Sequence, residues 1–241
     1  GLVKTVCFKK SRYIGDPINA VKIFNDLKAD ELIFLDITAT KNNRSIPIKF
    51  VKEVGEEACM PFSVGGGLRT IKDVEACIHN GAEKIILNTY AVENPSFIKE
   101  CANVLGNQSV VVAIDIKKTL LKQYRVYTHG GKKNSGLDVL DWAKQVVNLG
   151  AGELLINSID LDGTMQGYNI ELIKSVSKAV TVPVIAAGGA GSIGDFAKGY
   201  FEANANGLAA GSMFVFHGPR KAVLINYPER EKLAQIGFNY E

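Results

Sequence analysis

Two stretches of this chain end alike, 122 positions apart. Pro61 to Gly67 reads PFSVGGG and Pro183 to Gly191 reads PVIAAGGAG, and aligning the prolines superposes Gly66 and Gly67 on Gly188 and Gly189. Each is a short apolar run that stops on glycines before a helix-compatible segment, which leaves bare backbone N–H groups at a helix start, where an anion is favoured. Met once, the pattern is equally a tight strand-to-helix turn with no ligand. It recurs with its surroundings: Ala29 to Asp36 (ADELIFLD) matches Ala151 to Ser158 (AGELLINS) at the same offset, and Asn88-Thr89 falls on Gly211-Ser212 within one position. A chain that repeats itself at this interval has to fold as two equivalent halves.

The beat between the repeats gives the fold class. Strands are predicted at Glu31 to Asp36, Phe62 to Val64, Glu83 to Asn88, Val110 to Asp115, Glu153 to Asn157, Val184 to Ala187 and Gly207 to Ala210. Amphipathic runs separate them: Ile18 to Leu27, Ile46 to Cys59, Ile71 to His79, Phe97 to Leu105, Val139 to Leu149, Ile170 to Ala179 and Ile193 to Glu202. Apolar strands alternating with helices mean a parallel sheet covered on both faces. Two halves of four βα units close into an eight-stranded ring without edges, and 241 residues suit one such barrel of about 250. The expected architecture is therefore an α/β fold, a (βα)8 TIM barrel. Residues 1–241 are expected to form one domain, with repeat halves of about 1–108 and 109–241. Only seven strands are counted, and the twin of the strand ending at Asp115 would end about seven residues before Gly1. The first strand is expected to be missing from this sequence. The opening Leu2 to Phe8 alternates like a half-exposed strand ahead of the turn signal Gly15-Asp16-Pro17.

Composition narrows the classes. Lysine and arginine number 28 against 25 acidic residues and are scattered, in groups no denser than pairs such as Lys132-Lys133, so neither nucleic acid nor a membrane is an expected partner. Four separated cysteines without a C-x-x-C, and three histidines, indicate no metal site and no disulfide framework. Buried reduced thiols and a cytoplasmic location are expected. No apolar run reaches the roughly 18 residues a membrane span needs.

In a barrel of this kind the chemistry sits at the carboxyl ends of the strands. The residues there are Asp36, the glycines at 65–67, Asn88-Thr89, Asp115, residues 157–162, Gly188-Gly189 and Gly211-Ser212. Gly67, Asn88 and Thr89 make one candidate phosphate cradle, and Gly163, Gly189, Gly211 and Ser212 a second across the mouth. Together they imply a long substrate with a phosphate at each end. Asp115 closes an apolar strand between them, where partial burial would lift a carboxyl toward neutrality for acid/base work; a loop cap or a pairing with Lys117 or Lys118 is the plainer alternative. Asp162, in IDLDGT, is either its partner or the turn residue that Asp-Gly predicts. Lys4 lies in a loop that could close over substrate, or is a solvated lysine. Asp36 and Asp160 are weighted toward structure, and His129 with Gly130 to Lys133 toward a surface role.

FLDITAT, SVGGGLRTI, GAEKIILNTYAVENP, VVVAIDIK, THGGKKNSG, GAGELLINSIDLDGTMQGY and IAAGGAGS, running in order from about Gly15 to Phe214, resemble the cyclase subunit of imidazole glycerol phosphate synthase, the synthase half of a glutamine amidotransferase of histidine biosynthesis. The resemblance implies a lyase-type enzyme without a cofactor. Its glutaminase partner would dock on the amino-terminal face and pass ammonia through the barrel to a doubly phosphorylated ribosyl-carboxamide. It implies Asp115 as the second of two catalytic aspartates, the first closing the missing strand, and phosphate ligands at Gly67, Asn88, Thr89, Gly163, Gly189, Gly211 and Ser212. Glu31, Lys84 and Glu153 match three of four members of a charged ammonia gate. The tail His217 to Leu233 departs from the family's usual last helix and resembles a paralogous branch, tied to amidation of surface-polysaccharide sugars, in which the barrel serves chiefly as a conduit.

Overall fold

The structure, a computed structural model, describes residues 1–237. The chain opens with an antiparallel hairpin, β1 (Leu2–Val6) and β2 (Lys9–Gly15), then α1 (Pro17–Asp26), β3 (Leu32–Leu35), α2 (Ile48–Glu57), β4 (Phe62–Gly65), α3 (Ile71–His79), β5 (Lys84–Leu87), α4 (Thr89–Glu93) and α5 (Ser96–Leu105). Strand β6 (Val110–Lys118) runs into a second hairpin, β7 (Tyr124–Thr128) and β8 (Lys133–Asp138), before α6 (Val139–Asn148), β9 (Glu153–Ser158), α7 (Ile170–Ala179), β10 (Val184–Ala187), α8 (Ile193–Ala197) and β11 (Gly207–Leu208). A tail follows: α9 (Ser212–Val215), the short pair β12 (Phe216–His217) and β13 (Ala222–Val223), and α10 (Arg230–Ala234).

The seven core strands are parallel throughout and lie in the order β11, β10, β9, β6, β5, β4, β3. This is the curled α/β sheet of the expected barrel. Among the described residues no strand lies between β11 and β3, the place left for an eighth. Strands β4 and β10 stand four steps apart in this order, as do β5 and β11, which sets each pair on opposite sides of an eight-membered ring.

The duplication holds at the level of hydrogen-bond register. Leu32 pairs with Phe62 and Leu35 with Gly65; at offset 122 Leu154 pairs with Val184 and Asn157 with Ala187. The opening hairpin obeys it too, since β1 at 2–6 corresponds to β7 at 124–128. Asp16 caps α1 by accepting from the Asn19 N–H, and its twin Asp138 caps α6 by accepting from Leu140 and Asp141. Such a cap supplies an orphan helix N–H with a partner and typically contributes about 1 kcal/mol.

Two apolar layers sandwich the sheet. Ile86, Val111, Ala113 and Leu155 cluster on one face with Ile33, Ile185, Ala187 and Ala209 against them. On the other, the alternate residues Val112, Ile114, Leu154 and Ile156 pack with Trp142 and the helices. The period of two along β6 and β9 assigns these faces, and it puts Val111, Ala113 and Asp115 on one line and Glu153, Leu155 and Asn157 on the next.

Several boundaries differ from the sequence expectation. Strand β6 continues past Asp115 to Lys118 because β7 pairs with it antiparallel, Asp115 opposite Tyr127 and Lys118 opposite Tyr124; residues 117–136 are thus mostly hairpin. The helix expected over 193–202 ends at Ala197 and gives way to a wider π turn at Lys198–Glu202, where Gly199 lies against Tyr168 and Leu208 without room for a Cβ. Pro47, at the N-cap, delays the helix expected from Ile46. All four cysteines are free, but only Cys77 and Cys101 are buried; Cys59 is exposed and Cys7 partly so. The expectation of four buried thiols fails because Cys59 follows the last turn of α2 and Cys7 occupies the tip of the first hairpin.

Candidate active site

Asp115 projects at the carboxyl end of β6, half-buried by surface and densely surrounded by protein. Its two oxygens are held by two amides: Asn88 Nδ2 donates to Oδ2 at 2.9 Å and Asn157 Nδ2 to Oδ1 at 3.2 Å. Burial pushes the Asp115 carboxyl up to about 7, against the pull of both amides, with the Asp162 charge adding to the rise. Asp162 itself is raised by burial, opposed by the Lys4 charge and by the Thr5 hydroxyl, which donates to its Oδ2 at 3.4 Å. Desolvation raises both carboxyls at this mouth, and Asp115, at about 7, can take and return protons near neutral pH.

The second cradle is a small cleft where Lys4, Asp162, Gly189, Gly211 and Ser212 meet. Lys4 is not in an open loop as expected but on β1, and its Nζ stands directly over Gly211, where any side chain would collide with it. The hairpin is seated by Cys7, whose N–H donates to the Asp162 carbonyl at 2.8 Å, and by Gly163, whose left-handed backbone (φ 74°) passes under the Thr5 carbonyl. The Ser212 hydroxyl is buried and has no partner among the described residues. A buried polar atom without a partner is costly unless a ligand supplies one, and a lysine above a glycine-lined helix start is a fitting surround for phosphate.

The first cradle is built the same way at β4 and β5. Gly66 and Gly188 have positive φ and press on twin positions, Gly66 on Asp36 and Gly188 on Ser158. A Cβ on Gly67 would overlap the Arg44 carbonyl oxygen and one on Gly189 the Gly167 carbonyl oxygen. Thr89 is buried at the start of α4, accepting the His129 N–H at 3.1 Å and donating to Asn88 Oδ1 at 3.4 Å. The tip of the second hairpin lies on this cradle through the His129 backbone, while the His129 ring stays part-exposed, 3.4 Å from Glu93. Cys7 and His129 are repeat twins, and each hairpin tip rests on the cradle of the opposite half. Asp36 and Asp160 are structural, as expected. Asp36 pairs with Arg44 and Thr38, which outweigh its burial and hold its carboxyl below the usual range, and Asp160 accepts the Lys118 N–H at 2.9 Å.

At the opposite, amino end of the sheet Lys84 Nζ lies 2.9 Å from Glu153 and 3.6 Å from Glu31, and Ser63, buried at 1%, donates to Glu31 at 2.8 Å. Burial would lower the Lys84 ammonium, but its two glutamates outweigh that and hold it above the ordinary lysine value. The three charges are thus one ion-paired cluster. Asn157 and Thr5 were given no role by the sequence reading; the register of β6 against β9, which sets Asn157 opposite Asp115, is the signal that would have found the first. Among the described residues no group of three His, Cys, Asp or Glu is placed to hold a metal.

The fold is thus a duplicated, curled parallel α/β sheet, with a glycine turn after β4 and its twin after β10 and the Asp115 carboxyl at the end of β6. The chain belongs to the family described as histidine biosynthesis protein, which matches residues 1–219. It is 48% identical over 88% of its length to the imidazole glycerol phosphate synthase subunit HisF of Pyrococcus furiosus, covering 84% of that protein. It is 45% identical over 90% of its length to the subunit of the same name from Alkaliphilus metalliredigens, covering 86%. A relative bearing the numbered name hisF2, from Pseudomonas aeruginosa, is 43% identical over 97% of this chain and 93% of its own length.

Proposed function

We propose that this chain is a cyclase-type subunit of a glutamine amidotransferase, closing the imidazole ring of imidazole glycerol phosphate from a doubly phosphorylated ribosyl-carboxamide and ammonia. The observation that carries the reading is Asp115, clamped by two amides with its carboxyl near 7, between cradles set on opposite sides of the ring. One phosphate would bind the N–H groups and hydroxyl at Gly67, Asn88 and Thr89. The other would bind at Gly163, Gly189, Gly211 and Ser212 with Lys4 as counter-charge. Asp115 would then accept a proton from the reacting nitrogen in its ionised form and return one in its acid form, with Asp162 as the second carboxyl. The Glu31, Lys84 and Glu153 cluster fits a polar entry for ammonia from a glutaminase on that face. Between that cluster and Asp115 the sheet's inner face is lined by Ile86, Val111, Ala113 and Leu155 with Ile33, Ile185, Ala187 and Ala209, an apolar layer that ammonia would have to cross.

Turnover of the bisphosphorylated carboxamide with ammonium salts alone tests this. The wild-type protein is expected to release imidazole glycerol phosphate, and Asp115→Asn to lose at least about a hundred-fold in rate. A second reading, an ammonia-delivering subunit for another amidating enzyme, is favoured by the tail, which is not one long helix but a β12–β13 pair and the five-residue α10, and by relatives with numbered names. Stimulation of a glutaminase without consumption of the carboxamide would establish that reading instead.

A further inference from the structure

We infer that Asn157 is a positioning residue for the reaction, fixing Asp115 with its amide nitrogen while its carbonyl oxygen receives a donor from the bound substrate. The role rests on the reading of Asp115 as the acid/base group. Three observations carry it. First, Asn157 faces Asp115 in the β6–β9 register, so the Nδ2 to Oδ1 distance of 3.2 Å is set by backbone pairing and not by a mobile loop. Second, Asn157 Oδ1 is buried and has no partner among the described residues, although nearly all buried acceptors have one. Third, that oxygen lies against Gly188, where a Cβ would collide with it, so the second glycine cradle begins at its back. The orientation of the amide follows from chemistry: turned over, it would set a carbonyl oxygen against the ionised carboxylate, acceptor to acceptor.

A primary amide suits this place because it serves both states of its neighbour. Towards ionised Asp115 it donates N–H; towards the protonated acid, rotation about χ2 presents the carbonyl oxygen as acceptor. Asn88, at the N-cap of α4 just after β5, holds the other carboxylate oxygen at 2.9 Å, so the carboxyl plane is fixed from both sides at once. The charged group that faces Asp115 from elsewhere is Asp162, itself beside Lys4, and neither replaces the lost N–H. Among the described residues none bonds this oxygen, which leaves an N–H or O–H of the substrate's central portion as the fitting donor.

The test is Asn157→Leu, close in volume but without polar atoms, beside Asn157→Asp. Ammonium-driven turnover is expected to fall about ten-fold or more in kcat, with KM rising by a smaller factor because one substrate bond is also lost, and the pH limb of kcat belonging to Asp115 to move to higher pH, because a bond favouring the ionised form is gone. Asn157→Asp is expected to move that limb further up, by adding a like charge. An unchanged kcat and limb, or a rise in KM alone, would overturn the inference. A carbon-13 titration of the Asp115 carboxyl in both proteins, assigned with Asp115→Asn, reads the same effect without turnover. If wild type consumes no carboxamide the proposed function fails, while an Asp115 midpoint unmoved by Asn157→Leu refutes the positioning role by itself.

Discussion

Asp115 trades stability for chemistry, and the sign of the trade can be measured. A carboxyl raised from 3.8 to about 7 in the folded chain holds a proton that the unfolded chain has released between those values. Folding therefore binds protons in that window, and stability falls as pH rises through it. Asp115→Asn removes the titration while keeping the size of the side chain. The variant is expected to match the wild type near pH 4 and to melt higher at pH 8, by an amount on the order of 1 kcal/mol or more. Equal melting temperatures at pH 8 would mean that the carboxyl is not desolvated. Lys4 makes the complementary case: its ammonium stands over Gly211, next in the chain to Ser212, whose buried hydroxyl has no partner among the described residues. Lys4→Met is expected to weaken binding of the bisphosphorylated substrate by about ten-fold or more, with the unfolding midpoint nearly unchanged; calorimetric titration reads the first and urea the second.

At the scale of elements, the apolar strands and amphipathic helices were legible because burial on both faces leaves only one kind of sequence for each. The two hairpins were not. In KKTLLKQYRVYTHGGKKNSG no glycine or proline pair marks the β6–β7 turn, and the strands are held by pairing with Asp115 to Lys118, which is a tertiary fact. Repeat arithmetic could have exposed them, since Asp16-Pro17 and Asp138-Val139 cap equivalent helices 122 residues apart. The tail was recognisable as unusual but not as a fastening. Its Tyr227 hydroxyl donates to Asp30 Oδ2 at 2.6 Å and accepts the Asp30 N–H at 3.3 Å, while its ring lies 5.0 Å from Phe214. The tail thereby joins the last βα unit to the segment entering β3. Tyr227→Phe keeps the ring and removes a hydrogen bond to a carboxylate, so the urea midpoint is expected to fall by the equivalent of about 1–2 kcal/mol. A change within about 0.3 kcal/mol would mean that water replaces the phenol without loss.

At the scale of the whole molecule, duplication makes the two cradles equivalent in backbone but not in side chains, and binding should show both properties. The backbone half is shared: Gly67 (φ 65°) and Gly189 (φ 116°) are each in the left-handed region and each lie under a carbonyl oxygen of the loop that follows the preceding strand. Alanine at either position meets backbone on one side and strain on the other, so each substitution should close one cradle and leave its twin intact. Inorganic phosphate is expected to bind at two sites per chain in the wild type, at one in Gly67→Ala or Gly189→Ala, and at none in the double variant. A ligand spanning the mouth should lose affinity with either change, falling toward that of a single phosphate. Because glycine replacements also strain the fold, Thr89→Val and Ser212→Ala provide a gentler pair, removing one hydroxyl from each cradle. The side-chain half differs: only the second cradle has Lys4 above it, so its phosphate affinity should fall more steeply with added salt than that of the first. Loss of both phosphates from a single glycine substitution would show the two sites to be one, and the symmetry of the sequence would then have no counterpart in binding.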